Sequence, residues 1–569
     1  MMASTAPSTA AVTGAGAVPM GLHRHAGRQA VRSSLAARAR IAPLRAPRPS
    51  LPNRAVVAPL RHVRVASGSE NDATETAENA EAEGEEGEET VDGFSEELPP
   101  HLRPSIYESS NEELNLTLSD AEPDDFLECK TIRHLLTPIE SPFVSNNMFG
   151  GGFVFDADRV RLQSVQYSRI DSAGASCSQG VTDPNDGTCI PLPPFTMRAG
   201  PRKRIYFEPK EVTAAIITCG GLCPGLNDVV QNIVFTLTDY GVPEDQILGI
   251  RNGLMGLYDH KTKPLHLTRR VVDGIQLRGG TILGTSRGGA AKIPRMVDRL
   301  DLWGINMVFV VGGNGGNAGA AAIQAECRER DVICSVIGIP KSIDNDILLI
   351  DRCFGFETAV EEAQRPLLAA KVEASSAYRG VGVVKLMGRQ SGFIAVQGSM
   401  SSGVVDACLI PEVPFTLYGE HGLFAHLEKV IARKGHAVVC VAEGAGQDIL
   451  ASKSTKTDAS GNPILEDVGI WLKNQIKANI KNTDVKYIDP TYMIRAIPTN
   501  SGDRIYCKIL AHNAVHASFA GYTGVTVGLV NTHYVYLPIP IVIQSPRRVD
   551  PKGKSWNRLR GSIGQPNFS

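Results

Sequence analysis

Seven consecutive residues, Pro340-Lys341-Ser342-Ile343-Asp344-Asn345-Asp346, hold the densest chemistry in the chain. They follow an apolar run, Ile333 to Ile339, whose pattern predicts a buried parallel strand. Open α/β sheets bind ligands at the C-terminal ends of such strands. Two carboxylates, a hydroxyl and an ammonium at that place offer a general base, a metal-facing anion, a hydrogen-bond donor and a phosphate-facing cation. A polar turn that merely closes the strand is the alternative for these residues taken alone.

The elements needed to position this stretch are also legible. Ala214 to Thr218 predicts a strand ended by Cys219-Gly220-Gly221-Leu222-Cys223-Pro224-Gly225, with an amphipathic helix from Leu226 to Thr238. Met307 to Val311 predicts another, ended by Gly312-Gly313-Asn314-Gly315-Gly316 before a helix from Ala318 to Arg330. A third Gly-rich loop runs from Gly279 to Gly289. Glycine lets backbone amides converge on phosphate oxygens beside a helix N-terminus. Three such loops in one region indicate a nucleotide polyphosphate site. None is a Walker A loop or fits the dinucleotide fingerprint. A second set follows: helix Thr358 to Glu373, strand Gly380 to Leu386 ending in Met387-Gly388-Arg389, strand Val404 to Ile410 ending in Pro411-Glu412, helix Leu423 to Lys434, and strand Ala437 to Ala442 ending in Glu443-Gly444. Alternating strands and helices imply α/β architecture, with a mostly parallel sheet in each of two lobes and a site in the cleft between them.

Length and composition set the frame. The 569 residues suffice for two or three domains, and 42% apolar with 21% charged residues describes a globular chain. No apolar run is long enough for a transmembrane helix. Residues 1–69 hold ten Arg, no Lys and no acid, the composition of an organellar transit peptide; a basic arm for nucleic acid or membrane is the alternative. Residues 70–97 hold thirteen acids and no base, a solvated linker. Without the first 69 residues, 48 basic residues face 60 acidic ones, which speaks against general nucleic-acid binding. Residues 98–205 are expected to form an N-terminal extension on the core. Eleven Cys in so long a chain do not form a secreted disulfide framework; Cys334, Cys408 and Cys440 are expected as small buried hydrophobes. Cys177 and Cys189 flank a polar loop and could form a regulatory disulfide, against the simpler reading of two unpaired surface thiols.

Val311-Gly312-Gly313-Asn314-Gly315, the Pro340 to Asp346 stretch, Met387-Gly388-Arg389 and Pro411-Glu412 recur in this order in the 6-phosphofructokinases. The chain resembles their plant and algal ATP-dependent, plastid-type branch, most specifically in Cys219 to Asp228 and Lys486 to Arg495. The resemblance spans about Arg198 to Pro538. It implies a phosphofructokinase-like core over 206–548, with lobe 1 at about 206–357 and lobe 2 at about 358–548, followed by a C-terminal tail, 549–569. It further implies transfer of the γ-phosphoryl of ATP to the 1-hydroxyl of fructose 6-phosphate, the committed step of glycolysis, with Mg²⁺. An allosteric homo-oligomer, a tetramer by preference, is implied as well. Residue by residue, Asp344 matches the catalytic base, acting by placement rather than by an elevated pKa. Ser342 and Arg389 match groups that touch the transferring phosphoryl. Gly221, Arg287, Gly288, Gly313, Asn314, Gly315 and Gly316 match the ATP loops. Ser342, Ile343, Asp344, Asp346, Met387, Gly388, Arg389, Glu412, Tyr492, Met493, Ile494 and Arg495 match sugar-phosphate positions, with Glu412 on the sugar hydroxyls and Tyr492 and Arg495 on the 6-phosphate. The implied compartment is the chloroplast stroma, with the mitochondrion as alternative, and thioredoxin-type redox control would suit it.

Two positions depart from the family pattern. Asn314 replaces an Asp that helps hold Mg²⁺, keeping a carbonyl oxygen but no charge. Gly316 replaces a hydroxyl residue. These substitutions motivate a second reading, a catalytically weak regulatory subunit of a phosphofructokinase oligomer. Gly315 leaves room for the α-phosphate of ATP where pyrophosphate users carry Asp; Lys341 pulls the other way, since it also occurs in pyrophosphate users. A pyrophosphate-dependent enzyme is the third reading.

Overall fold

Short apolar runs separated by glycine turns and amphipathic segments leave the chain few options besides helix-covered parallel sheets. A computed structural model of the chain describes residues 126–146, 152–165, 168–169, 180–182, 189–288, 292–450 and 464–568. The described strands of the two main sheets are, in chain order, β1 (Arg159–Arg161), β2 (Phe195–Arg198), β3 (Ala214–Thr218), β4 (Ile247–Ile250), β5 (Leu265–His266), β6 (Met307–Gly312), β7 (Ser335–Pro340), β8 (Gly380–Leu386), β9 (Ala407–Leu409), β10 (Ala437–Ala442), β11 (Asp484–Ile488), β12 (Val525–Val530) and β13 (His533–Pro538). The helices that cover them include α1 (Leu226–Tyr240), α2 (Ile293–Leu302), α3 (Asn314–Glu329), α4 (Phe356–Ser376), α5 (Phe393–Ser402), α6 (Leu423–Lys434), α7 (Val468–Asn479), α8 (Thr491–Arg495), α9 (Ser501–Phe519) and α10 (Lys554–Ile563).

The larger sheet has nine strands in the order β1-β2-β13-β12-β7-β6-β3-β4-β5, and the smaller has four in the order β9-β10-β8-β11. The middle five of the larger sheet, β12 to β4, run parallel, as do all four strands of the smaller sheet. Every residue of β3, β6 and β7 is buried, which is why these strands read as unbroken apolar runs rather than alternating ones. This is the expected α/β fold of two lobes.

Register decides where the site falls. Val311 pairs with Thr218, and Gly312 pairs with Pro340. The loops after β3, β6 and β7 therefore leave the sheet at one level. In the smaller sheet Leu386 pairs with Ala442, so Met387-Gly388-Arg389 and Glu443-Gly444 emerge side by side.

The lobe boundaries differ from expectation. β12, β13 and α9, all within the 358–548 span assigned to lobe 2, belong to the first lobe. Val525 pairs with Ile337, because the buried strand β7 needs a neighbour on its far side as well. The second lobe is α4 to α8 plus α10. Residues 549–569 are more than a tail: Trp556 and Leu559 are buried among residues of α4 and α5, and Phe568 in the core beside α6. From the N-terminal extension, β1 and β2 lengthen the large sheet by pairing onto β13.

The expected transit and acidic segments lie outside the described residues, as does Cys177. The cysteines whose side chains are described, Cys334, Cys408 and Cys440 among them, are buried free thiols.

Candidate active site in the inter-lobe cleft

The strand ends bring the glycine loops together by direct hydrogen bonds. Cys219 N–H donates to Val311 O at 2.8 Å, Gly220 N–H to Ser286 O at 3.0 Å, and Lys341 N–H to Gly312 O at 2.9 Å. The Thr285 hydroxyl closes on Gly220 O at 2.8 Å. Gly220 sits at φ +87°, which a side chain would strain, and a Cβ there would lie 3.6 Å from Lys341 Nζ. The predicted start of α3 moves four residues earlier: Asn314, Gly315 and Gly316 form its first turn, so their free amides sit at a helix N-terminus.

Close packing also accounts for Gly316. A Cβ on Gly316 would stand 3.3 Å from the Cβ of Cys219, and one on Gly312 would stand 2.9 Å from the Gly316 Cα. A side chain at 316 would require Cys219 to give way by a few tenths of an ångström. Around Gly315 nothing lies within 4 Å of a built Cβ, so that face is open.

Beside these loops lies the acidic turn. Ser342 Oγ donates to Asp346 Oδ1. Asn345, at φ +59°, accepts the Cys353 N–H at 2.8 Å through Oδ1, which curls the turn. One carboxylate oxygen of Asp344, Oδ1, is buried with no hydrogen-bond partner. Burial, and then the negative charges of Asp346 and Glu443, push the Asp344 carboxyl from an ordinary 3.8 up to about 8, with Lys341 and the Arg389 N–H pulling the other way. This corrects the expectation of an unperturbed base: the environment tunes Asp344 as well as placing it. Ile343 packs against the cores of both lobes, so the turn lies where they meet.

The second lobe supplies Gly388, at φ +135°, and Arg389. The Glu443 carboxyl is raised by burial and drawn back by the positive charges of Arg389, Lys385 and Arg495. Arg495 also reaches the nucleotide loops: a Cβ on Gly221 would lie 3.3 Å from its Nη2 and 3.9 Å from Nη2 of Arg287. Asp344, Asp346, Lys341, Arg389, Arg495, Arg287 and the glycine loops thus share one cleft.

Other expected site residues are placed differently. Both Glu412 oxygens accept the Gly392 N–H, at 2.9 and 3.1 Å, and Oε1 also accepts the Val549 N–H at 2.8 Å. Glu412 therefore clamps the start of α5, and Glu443 is the carboxylate that faces Arg389 and Arg495. The rule that found Asp344, a carboxylate just past a parallel strand, would have found Glu443 too. Ile494 and Met387 bury their side chains in the core of the second lobe, so only their main chains can meet a ligand. Tyr492 and Met493 are exposed, at 80% and 75%. The Tyr492 ring lies 5.8 Å from the Arg495 guanidinium carbon.

Fold and site together describe a two-lobed α/β protein whose glycine loops and buried carboxylate share one cleft. The family model described as Phosphofructokinase matches residues 213–518. ATP-dependent 6-phosphofructokinase 5, chloroplastic, of Arabidopsis thaliana is 54% identical over 421 residues, covering 73% of this chain and 76% of that one. An ATP-dependent 6-phosphofructokinase of Borreliella burgdorferi is 45% identical over 381 residues, 65% of this chain and 85% of that one. The crystal structure of a pyrophosphate-dependent phosphofructokinase from Marinobacter aquaeolei shares the fold, with a TM-score of 0.52 at 19% identity over 63% of this chain and 92% of that one. The chain belongs to the phosphofructokinase family.

Proposed function

We propose that this chain transfers the γ-phosphoryl of ATP to the 1-hydroxyl of fructose 6-phosphate, giving fructose 1,6-bisphosphate and ADP. The observation that carries the reading is the buried, unpartnered oxygen of Asp344, in the turn after β7, level with the glycine loops after β3 and β6 and with the Arg389 N–H on its carboxylate. Asp344 takes the proton of the 1-hydroxyl as that oxygen forms its bond to the γ-phosphorus and the bond to the ADP oxygen breaks. Arg389 meets the charge on the equatorial phosphoryl oxygens, and Ser342 hydrogen-bonds the moving group. The amides at 313–316, with Gly221, Arg287 and Gly288, hold the polyphosphate. Asp346, Glu443 and Arg495 hold the sugar phosphate, with Tyr492 and Met493 closing the rim.

Among the described residues no group of three or more His, Cys, Asp or Glu could hold a metal. The buried oxygen Asn314 Oδ1 lacks a hydrogen-bond partner. One neutral oxygen beside a polyphosphate fits Mg²⁺, which keeps waters and takes much of its ligation from phosphates. Asn314 would hold it, and when bound it neutralises polyphosphate charge.

The open space at Gly315 supports ATP over pyrophosphate as donor, and supply of each donor with fructose 6-phosphate and Mg²⁺ tests this directly. Product with ATP and none with pyrophosphate is expected; the reverse would overturn the reading. Asn314 and Gly316 favour one rival, a catalytically weak regulatory subunit, which predicts no turnover alone and a change in the activity of a co-assembled relative. The oligomer is a homotetramer in our reading, and residues 1–69 direct the chain to the chloroplast stroma. A fluorescent protein fused after residue 69 should enter chloroplasts; retention in the cytosol or entry into mitochondria would refute this. Cys177 and Cys189 read first as two unpaired surface thiols; the alternative, a thioredoxin-reducible pair, requires that dithiol change the activity of the wild type and not of the double Ser variant.

A further inference from the structure

The chain crosses between the lobes for the last time at residues 545–550, and this crossing touches the chemistry on both sides. Arg547 N–H donates to Asp346 O at 2.8 Å. Its Nη1 donates to Ile350 O at 2.9 Å and to Asp351 O at 2.8 Å. One residue thus holds the turn that carries Asp344 and Asp346 at three points. The same residue reaches the other lobe. Its carbonyl accepts the Ser391 hydroxyl at 2.6 Å, and its guanidinium carbon stands 5.0 Å from the centre of the Phe393 ring. Ser391 and Phe393 flank Gly392, just beyond Arg389. Two residues further along the crossing, Val549 N–H meets Glu412, which also holds Gly392 N–H.

We propose that Arg547 is a positioning residue that fixes the Asp346 turn of one lobe against the Arg389 loop of the other, and so sets the sugar-phosphate half of the cleft. The proposal rests on the phosphofructokinase reading above. A planar guanidinium can serve two carbonyls while stacking on a ring; an ammonium can serve a carbonyl but cannot stack in the same way. The nucleotide loops belong to the first lobe alone and make none of these contacts. Disturbing the strap should therefore harm the sugar half and spare the ATP half. The turn has supports of its own, Asp351 N–H on Leu529 O at 2.8 Å and Cys353 N–H on Asn345 Oδ1, so removing the side chain leaves the sheet intact.

The test compares the full wild-type chain with Arg547→Ala, Arg547→Lys and Ser391→Ala, reading kcat, both KM values and the number of ATP molecules bound per chain. Misplacement by about an ångström can cost about 10²-fold in rate. Arg547→Ala should lower kcat by roughly that factor and raise the fructose 6-phosphate KM about tenfold, with ATP KM and ATP stoichiometry unchanged. Arg547→Lys should recover part of the loss. Ser391→Ala, which removes one hydroxyl, should raise the same KM about threefold and decides the matter if Arg547→Ala does not fold. A fructose 6-phosphate KM that stays at the wild-type value, with kcat falling only in step with the fraction of chains that bind ATP, would overturn the proposal. Wild-type chain without turnover would instead defeat the phosphofructokinase reading.

Discussion

Asp344 is held in an environment that suits a base and burdens the fold. A carboxyl raised from 3.8 to about 8 keeps its proton in the folded chain where the unfolded chain has lost it. Between those values the folded state binds more protons, so this group's contribution to stability falls as pH rises through that window. The same shift gives catalysis an acid limb: kcat/KM for fructose 6-phosphate should climb with pH and level off above about 8, and a flat profile from 6 to 9 would remove Asp344 as the titrating base. Asp344→Asn should lower kcat by about 10²- to 10⁴-fold and yet raise Tm at pH 8, since the amide carries no charge to bury. Calorimetry beside the rate assay checks both halves. Glu443 and Glu412 should separate by the same logic. Glu443→Gln should raise the fructose 6-phosphate KM, whereas Glu412→Gln should chiefly lower Tm, because its oxygens are committed to the Gly392 and Val549 amides.

Loops gain their geometry from the strands they end. Gly315→Asp should raise the ATP KM about 100-fold by placing a carboxylate in open space beside the polyphosphate, which a titration with ATP will measure. Gly312→Ala should instead destabilise by roughly 1–3 kcal/mol, since its Cβ would press on Gly316 Cα. Most of this machinery could be read from the chain. Buried strands β3, β6 and β7 announce themselves as apolar runs, and glycine with carboxylate residues at their ends announces a ligand. Two things could not be read. Which sheet a strand joins depends on partners far away in sequence, so β12 and β13 were expected in lobe 2. Which of two strand-end carboxylates accepts backbone amides depends on tertiary contacts, so the Gly392 and Val549 amides on Glu412, and the arginines around Glu443, were not legible. The tuning of Asp344 was hidden for the same reason, because it needs the buried position and the neighbouring charges of Asp346 and Glu443. Arg547, in a segment without periodicity, gave no local signal.

The two lobes are interleaved along the chain. The first needs α9, β12 and β13, which follow nearly all of the second; the second needs α10, which follows everything. Burying Trp556, Leu559 and Phe568 contributes about 1.5–3 kcal/mol each against a typical total of about 5–15 kcal/mol. Ending the chain at residue 553 should therefore leave the second lobe open to protease while nucleotide binding by the first persists. A cleavage pattern identical to that of the full chain would show that α10 is dispensable.

Phe568, one residue from the end, sits in that core and accepts the Thr416 N–H at 2.9 Å through its carbonyl. The segment after α10 thus serves as a clasp, its last described residue bonded to the strand-to-helix connection that leads into α6. A bulky group placed on Phe568 would press on that clasp and loosen the α6 side of the second lobe.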